Sequence, residues 1–264
     1  MSNLLYANFS RMVKNKLFLI GIGFMFFAGS FLCYQQYRQL AGYGTHVKLD
    51  STFFQYTIMI GVISAIFCSL FVGVEYNDGT IRNKLIAGHK RTAIYLSNLI
   101  VNIVASFLMC FSYMLANVVV GIPLIGTLTI PATKVLFIVI GSLITVIAFC
   151  SIFTMISLLV SAKAIAPVIC IVAMFLSVAF LNEVQRILDE PKYYYDGTLN
   201  TTSYVEGTER DVLEFIYNAL PAGQEMQYAR RSTENMNELC LYSIGAVIIT
   251  TGAGIFGFKR KNVK

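Results

Sequence analysis

Glu75, Asp78, Arg82, Lys84, Lys90 and Arg91 crowd into seventeen residues, 75–91. They form the one strongly charged island in the first half of the chain with long apolar runs on both sides. Charges of both signs around a Gly turn suit recognition of another surface better than bond-making. The parts for bond-making are missing. No GxxxxGK[ST] occurs, so the chain has no phosphate-cradling loop of its own. The only histidines, His46 and His89, fall in different loops, which leaves no His/Cys metal cluster and no nucleophile–His pair. The expectation is a non-enzyme that binds no metal and no other cofactor itself.

Asp78-Gly79-Thr80 reads as a turn with good N-capping residues. Ile81, Leu85 and Ile86 then share a helical face, with Arg82, Asn83 and Lys84 spread around it. Gly88 suits a left-handed stop. About two turns of amphipathic helix are expected, with an apolar face that needs lipid or protein against it. The plain alternative is a charged loop that only reflects membrane topology.

The elements around this island are membrane spans. Of 264 residues, 56% are hydrophobic and 13% charged, with mean hydropathy +0.68. A soluble domain has about 25% charged residues. Runs of ~20 apolar residues cross a bilayer, and six such runs are expected, at about 17–37, 51–74, 93–120, 135–161, 164–182 and 239–258. The run 92–133 is too long for one span, and Gly121, Pro123, Gly126 and Pro131 point to a short turn at 121–133. The basic start followed by an uncharged 17–37 superficially resembles a signal peptide. Without a clear small-residue cleavage site it reads as a retained span. Leu4, Leu5, Phe9, Met12 and Val13 mark an apolar face before it. That face is either a helix lying on the membrane surface or the frayed start of the span.

Charge orients the chain. The segment 183–238 carries 11 of the 14 acids and 5 of the 20 bases, a net of −6, while the remainder nets +12. The N-terminal segment, the 75–91 island, the turn at Lys163 and the tail Lys259, Arg260, Lys261 and Lys264 all fall on one side and together hold 12 bases. By the positive-inside rule both termini are cytoplasmic and 183–238 is external. The formal charge of +6 thus reflects topology, not a nucleic-acid partner. Within the external segment, Thr208 reads as the N-cap of a helix with apolar Val212, Phe215, Ile216, Ala219 and Leu220, ended by Pro221 and Gly223. That helix either lies on the outer surface or packs on the outer ends of the spans. Residues 192–207 suit a hairpin around Asp196-Gly197 or a loose loop. The six cysteines lie in or beside apolar runs and read as small buried hydrophobes, with a Cys33–Cys240 bridge conceivable.

Asn98, Asn102, Ser106 and Asn117, with Ser112, Thr145, Ser151, Thr154 and Ser157, are polar residues within spans 3 and 4. They line either a substrate pathway or an interhelical hydrogen-bond seam. No Asp or Glu falls inside the six expected spans, which counts against an ion-driven carrier.

Glu75, then Asp78-Gly79-Thr80-Ile81-Arg82-Asn83-Lys84-Leu85, Gly88-His89-Lys90-Arg91 and Ile94-Tyr95-Leu96-Ser97 resemble the loop between spans 2 and 3 of bacterial ABC transporter permeases of the type 2 exporter class. Ala219-Leu220-Pro221-Ala222-Gly223-Gln224 resembles that family's Leu-Pro element before the last span. The resemblance implies an all-α membrane protein, 1–264 forming one transmembrane domain. It implies an N-terminal amphipathic surface helix, a cytoplasmic coupling helix over the 75–91 stretch and short re-entrant helices around Phe215, Leu220 and Pro221. It further implies a separate ATPase subunit holding ATP and Mg, a second permease subunit and residence in the bacterial cell membrane. Peptide, bacteriocin or antibiotic export, of lipid-like amphiphiles too, and self-immunity are the implied roles. The alternatives are a standalone secondary carrier or a peptide-sensing membrane protein.

Overall fold

The computed structural model describes residues 2–43, 48–160, 164–193, 200, 204–232 and 235–261. His46, Lys163, the Asp196-Gly197 tip and Lys264 lie outside them. Twelve α-helices and one π-helical turn account for the architecture, with no strand among the described residues. They are α1 (Ser2–Val13), α2 (Lys16–Tyr43), α3 (Asp50–Phe53), α4 (Tyr56–Asn77), α5 (Thr80–Ile86), α6 (Arg91–Ala116), a π turn (Asn117–Gly121), α7 (Ile122–Ile125), α8 (Ala132–Leu159), α9 (Ile165–Leu188), α10 (Thr208–Ala219), α11 (Pro221–Ala229) and α12 (Met236–Arg260).

Six stretches are long and apolar enough to cross a membrane: Lys16–Gly42, Asp50–Asn77, Arg91–Ile125, Ala132–Leu159, Ile165–Leu188 and Met236–Arg260. They match the six expected in number and order, and most run several residues further. The third differs most. Gly121 and Pro123 do not break it. A π turn from Asn117 carries it on instead, with the Asn117 side chain accepting from the Cys33 thiol at 3.3 Å and donating to the Tyr113 carbonyl at 3.1 Å. The extra residue of the π turn lets the helix run on through Ile125 before turning at Gly126, whose φ of 105° is left-handed. Pro123 lies inside this stretch, as the second residue of α7. Likewise α9 continues past 182 to Leu188, six residues into the stretch expected to be loop.

α4 and α8 lie at the centre. α9 packs on α4, α12 on α8 and α6, and α2 on α6. The outer faces of α2, α9 and α12 stay apolar and open, with Phe24, Phe27, Val172, Leu176, Ile248 and Ile249 among the exposed side chains. Such a girdle suits lipid. Between helices, polar contacts recur: Ser64 with Ser106 at 3.0 Å, Tyr56 with Ser142 at 2.6 Å, and Ser151 with Thr250 at 2.7 Å. Five cysteines are buried and Cys240 is half-buried. All six are free, so Cys33 and Cys240 are not bridged.

The two ends of the bundle differ. α1, α5 and the C-terminal end of α12 meet at one end. α3, α10 and α11 gather at the other, with 183–193. α1 is separate from α2: the Asn15 side chain accepts from the Leu17 amide at 2.8 Å and caps α2. This excludes the frayed start. The inward stripe of α1 is Leu4, Asn8 and Met12, while Val13, expected on the apolar face, is exposed. At the far end the Asn200 amide donates to the Lys192 carbonyl at 2.9 Å, pinching the base of that stretch.

Pro221 does not merely end α10; it opens α11. Thr208 is the first residue of α10 rather than its cap, which Gly207 provides at φ 74°. Of the expected apolar face, Val212 and Phe215 are exposed, and Tyr217 is the residue α10 buries. The chain then reverses at Leu220, and every residue of α11 is buried among α4, α8 and α9. Gly223 makes this possible, because a Cβ there would overlap the Tyr217 carbonyl oxygen. Gly223→Ala should therefore lower stability by about 1–3 kcal/mol. Gly245→Ala, where a Cβ meets nothing within 4 Å, should leave it unchanged. Thermal unfolding of the purified protein in detergent compares the two.

Candidate functional site

The charged island folds around one carboxylate. Glu75 occupies the last turn of α4 and is 0% exposed. Arg11 of α1 reaches it at 2.6 Å, Lys84 of α5 pairs with it, and the Asn98 amide of α6 donates to it at 2.9 Å. Lys84 also donates to the Asn8 side chain at 2.9 Å, and Asn8 donates to Ser97 at 2.6 Å. The Arg11 guanidinium lies 3.8 Å over the Phe71 ring. One acid thus joins four helices. Burial pulls Lys84 below its ordinary lysine value and Arg11 below its ordinary arginine value, with the attraction of Glu75 working against both shifts.

α5 hangs from this cluster between two left-handed glycines, Gly79 at φ 65° and Gly88 at φ 84°. Gly79 takes the N-cap position, and no side chain caps the helix. The three apolar residues do not point one way. Ile81 is fully buried and Leu85 packs against the core, whereas Ile86 is 74% exposed. A seven-residue helix joined to the bundle at both ends must spend its inner face on its own chain. The outer face therefore consists of Arg82, Asn83 and Ile86, with Lys90 and Asp78 exposed beside it. Lys84 is turned to Glu75. Arg91 is engaged too, donating to the carbonyls of Phe258 and Lys261 and so fixing the end of α12.

The four polar residues expected to line a pathway are all fully buried between helices. Asn98 holds Glu75, Asn102 donates to Thr154 at 2.8 Å, Ser106 lies between Ser64 and the Cys150 thiol, and Asn117 accepts from the Cys33 thiol. All four thus take part in hydrogen bonds between helices. At the opposite end Phe215 packs edge-on against Tyr242 with ring centres 5.7 Å apart, Leu220 is exposed and Pro221 is buried at the start of α11.

Sequence reasoning missed Asn8 and Arg11, whose three-residue spacing puts them on one side of α1. It also missed Asp50, which accepts from the Thr129 amide at 3.0 Å and from its hydroxyl. The largest omission is Glu225, 2% exposed in α11. The spans expected from sequence contained no acid. The structure puts Glu75 inside the second span and buries Glu225 within the bundle. Among the described residues no three His, Cys, Asp or Glu side chains group to hold a metal.

No family model matches the chain, and no curated protein matches it. Glu75→Ala leaves two half-buried cations without their acid and should cost about 1–3 kcal/mol. Arg82→Ala and Ile86→Ala, on the outer face, should stay within about 0.5 kcal/mol of the parent. Thermal or denaturant unfolding in detergent distinguishes them.

Proposed function

We propose that the chain is the transmembrane subunit of an ABC transporter of the type 2 exporter class, with α5 as its coupling helix. A separate ATPase subunit holds ATP and Mg and docks on α5, and a second permease subunit completes the pathway. α1 is the surface helix, and α10 with α11 the re-entrant pair. The basic end faces the cytoplasm and the chain resides in the bacterial cell membrane. Peptides, antibiotics or lipid-like amphiphiles are the cargo class, with self-immunity as a role.

One observation carries this reading. α5 presents Arg82, Asn83 and Ile86 outward while Lys84 ties its inner face, through Glu75, to α1, α4 and α6. A partner that displaces α5 displaces three helices with it. Ile86 supplies an apolar anchor, and Arg82 and Lys90 supply charge for acidic groups around a groove. The second reading, a standalone secondary carrier or peptide-sensing protein, draws on the acid buried within the bundle, Glu225.

Affinity purification of the tagged chain from its native membrane, with any co-purifying ATPase subunit identified by mass spectrometry, tests the assignment. Arg82→Glu combined with Ile86→Asp should abolish ATPase co-purification at unchanged thermal stability. Retention of the ATPase by that variant, or cargo movement in liposomes under an ion gradient without ATP, would sink the proposal.

A further inference from the structure

Glu225 lies where a carboxylate has nothing to balance it. Its backbone carbonyl accepts from Thr57 at 2.9 Å, which fixes the start of the side chain against α4. The carboxyl then turns inward, and neither oxygen has a hydrogen-bond partner. A Cβ on Gly61 would fall 2.9 Å from Oε2, so the absent side chain of Gly61 provides the room. Gly61 stands eleven residues into the Asp50–Asn77 span. This is close to the middle of the span's 28 residues. Thr145, which holds the neighbouring Gln224 at 2.8 Å, is likewise midway along α8.

The surroundings are free of compensating charge. Within electrostatic reach of the carboxyl lie the Tyr56 phenol of α4, the Cys110 thiol of α6 and the Cys150 thiol of α8. α9 contributes the Met174 thioether beside Gly61. α11 itself adds the Tyr228 phenol, also without a hydrogen-bond partner. The charged groups of α9 and α10, Glu183, Arg186, Glu209, Asp211 and Glu214, are on the surface, and Arg210 is half-exposed and paired with Glu214. An unpaired carboxylate in such a place costs several kcal/mol. Thiols and thioethers do not replace the oxygen shell that a hard metal cation requires. Only a proton matches the groups present.

We propose that Glu225 is a proton-binding site at mid-depth of the bundle and that its proton keeps α11 inserted. The proton comes from water at the α10–α11 end and returns there, converting carboxylate to carboxylic acid and back. Loss of the proton leaves a bare charge among α4, α6 and α8. α11 relieves it by withdrawing toward the surface at Leu220, the exposed residue where the chain reverses. This inference concerns the end opposite α5 and holds whether or not an ATPase docks there.

The test uses the full chain in lipid nanodiscs. Infrared spectroscopy at neutral pH should show a protonated carboxylic-acid carbonyl band that shifts in D2O and vanishes in Glu225→Gln. The chain contains no tryptophan, so Leu220→Trp gives a single reporter. Its emission should move to the red on alkaline titration, with the dependence of one proton, and the added Glu225→Gln should remove that response. Absence of the acid band at neutral pH would overturn the proposal. So would an emission titration unchanged by Glu225→Gln, or a response to sodium at fixed pH. Should Glu225→Gln fail to fold, the band in the native chain still decides.

Discussion

A single buried carboxylate, that of Glu75, fixes how the basic end of this protein is assembled. Burying it alone would be prohibitive, and it is tolerated because two cations and an amide converge on it from three other helices. That requirement acts on geometry as much as on energy. α1 must lie close enough for Arg11 to reach. α5 must be rotated so that Lys84 faces inward, and this rotation in turn decides that Ile86 and Arg82 face outward. α6 must start where Asn98 can donate. The shape offered to a partner at this end is thus a by-product of satisfying one acid.

The rest of the bundle follows a related constraint. Where lipid surrounds a protein, apolar burial no longer favours helix association, and packing with interhelical hydrogen bonds takes its place, each worth ~0.6 kcal/mol. Asn102 with Thr154, Ser64 with Ser106 and Tyr56 with Ser142 are such contacts, distributed between the central helices. Modest individually, they set the rotation of α4, α6 and α8 about their axes. Those rotations leave the apolar faces of α2, α9 and α12 outward.

Much of this was legible in the sequence because long uncharged runs have no other solution in a bilayer. The six spans, the helix after Gly79 and the left-handed Gly88 follow from composition and local chemistry alone. What escaped were features decided by contacts between distant residues. Nothing local says that Asn117 will accept from Cys33 or that a π turn will carry the third span past Gly121. A helical wheel gives Ile81, Leu85 and Ile86 one face, but not which side of it the chain's own core will claim. α11 was hidden because Pro221 is both a helix terminator and a favourable first residue, and only the pocket beside Gly61 and Gly223 selects the second role. The polar residues of spans 3 and 4 are visible in the sequence, yet their partners depend on helix rotation, which no short window of sequence encodes.

The reach of Arg11 to Glu75 has a consequence for biosynthesis. The two residues are separated by the whole first span and most of the second. As the chain leaves the ribosome, α1 emerges long before its carboxylate exists, so its arginine stays in water while the first span enters the membrane. Only when the second span has crossed completely does Glu75 arrive at the same surface, and only α5 and the start of α6 complete its shell. The N-terminal helix is therefore the first element made and among the last to be secured at this end. Without Glu75 in place, Arg11 has no acid to pair with and α1 lacks this tie to the bundle.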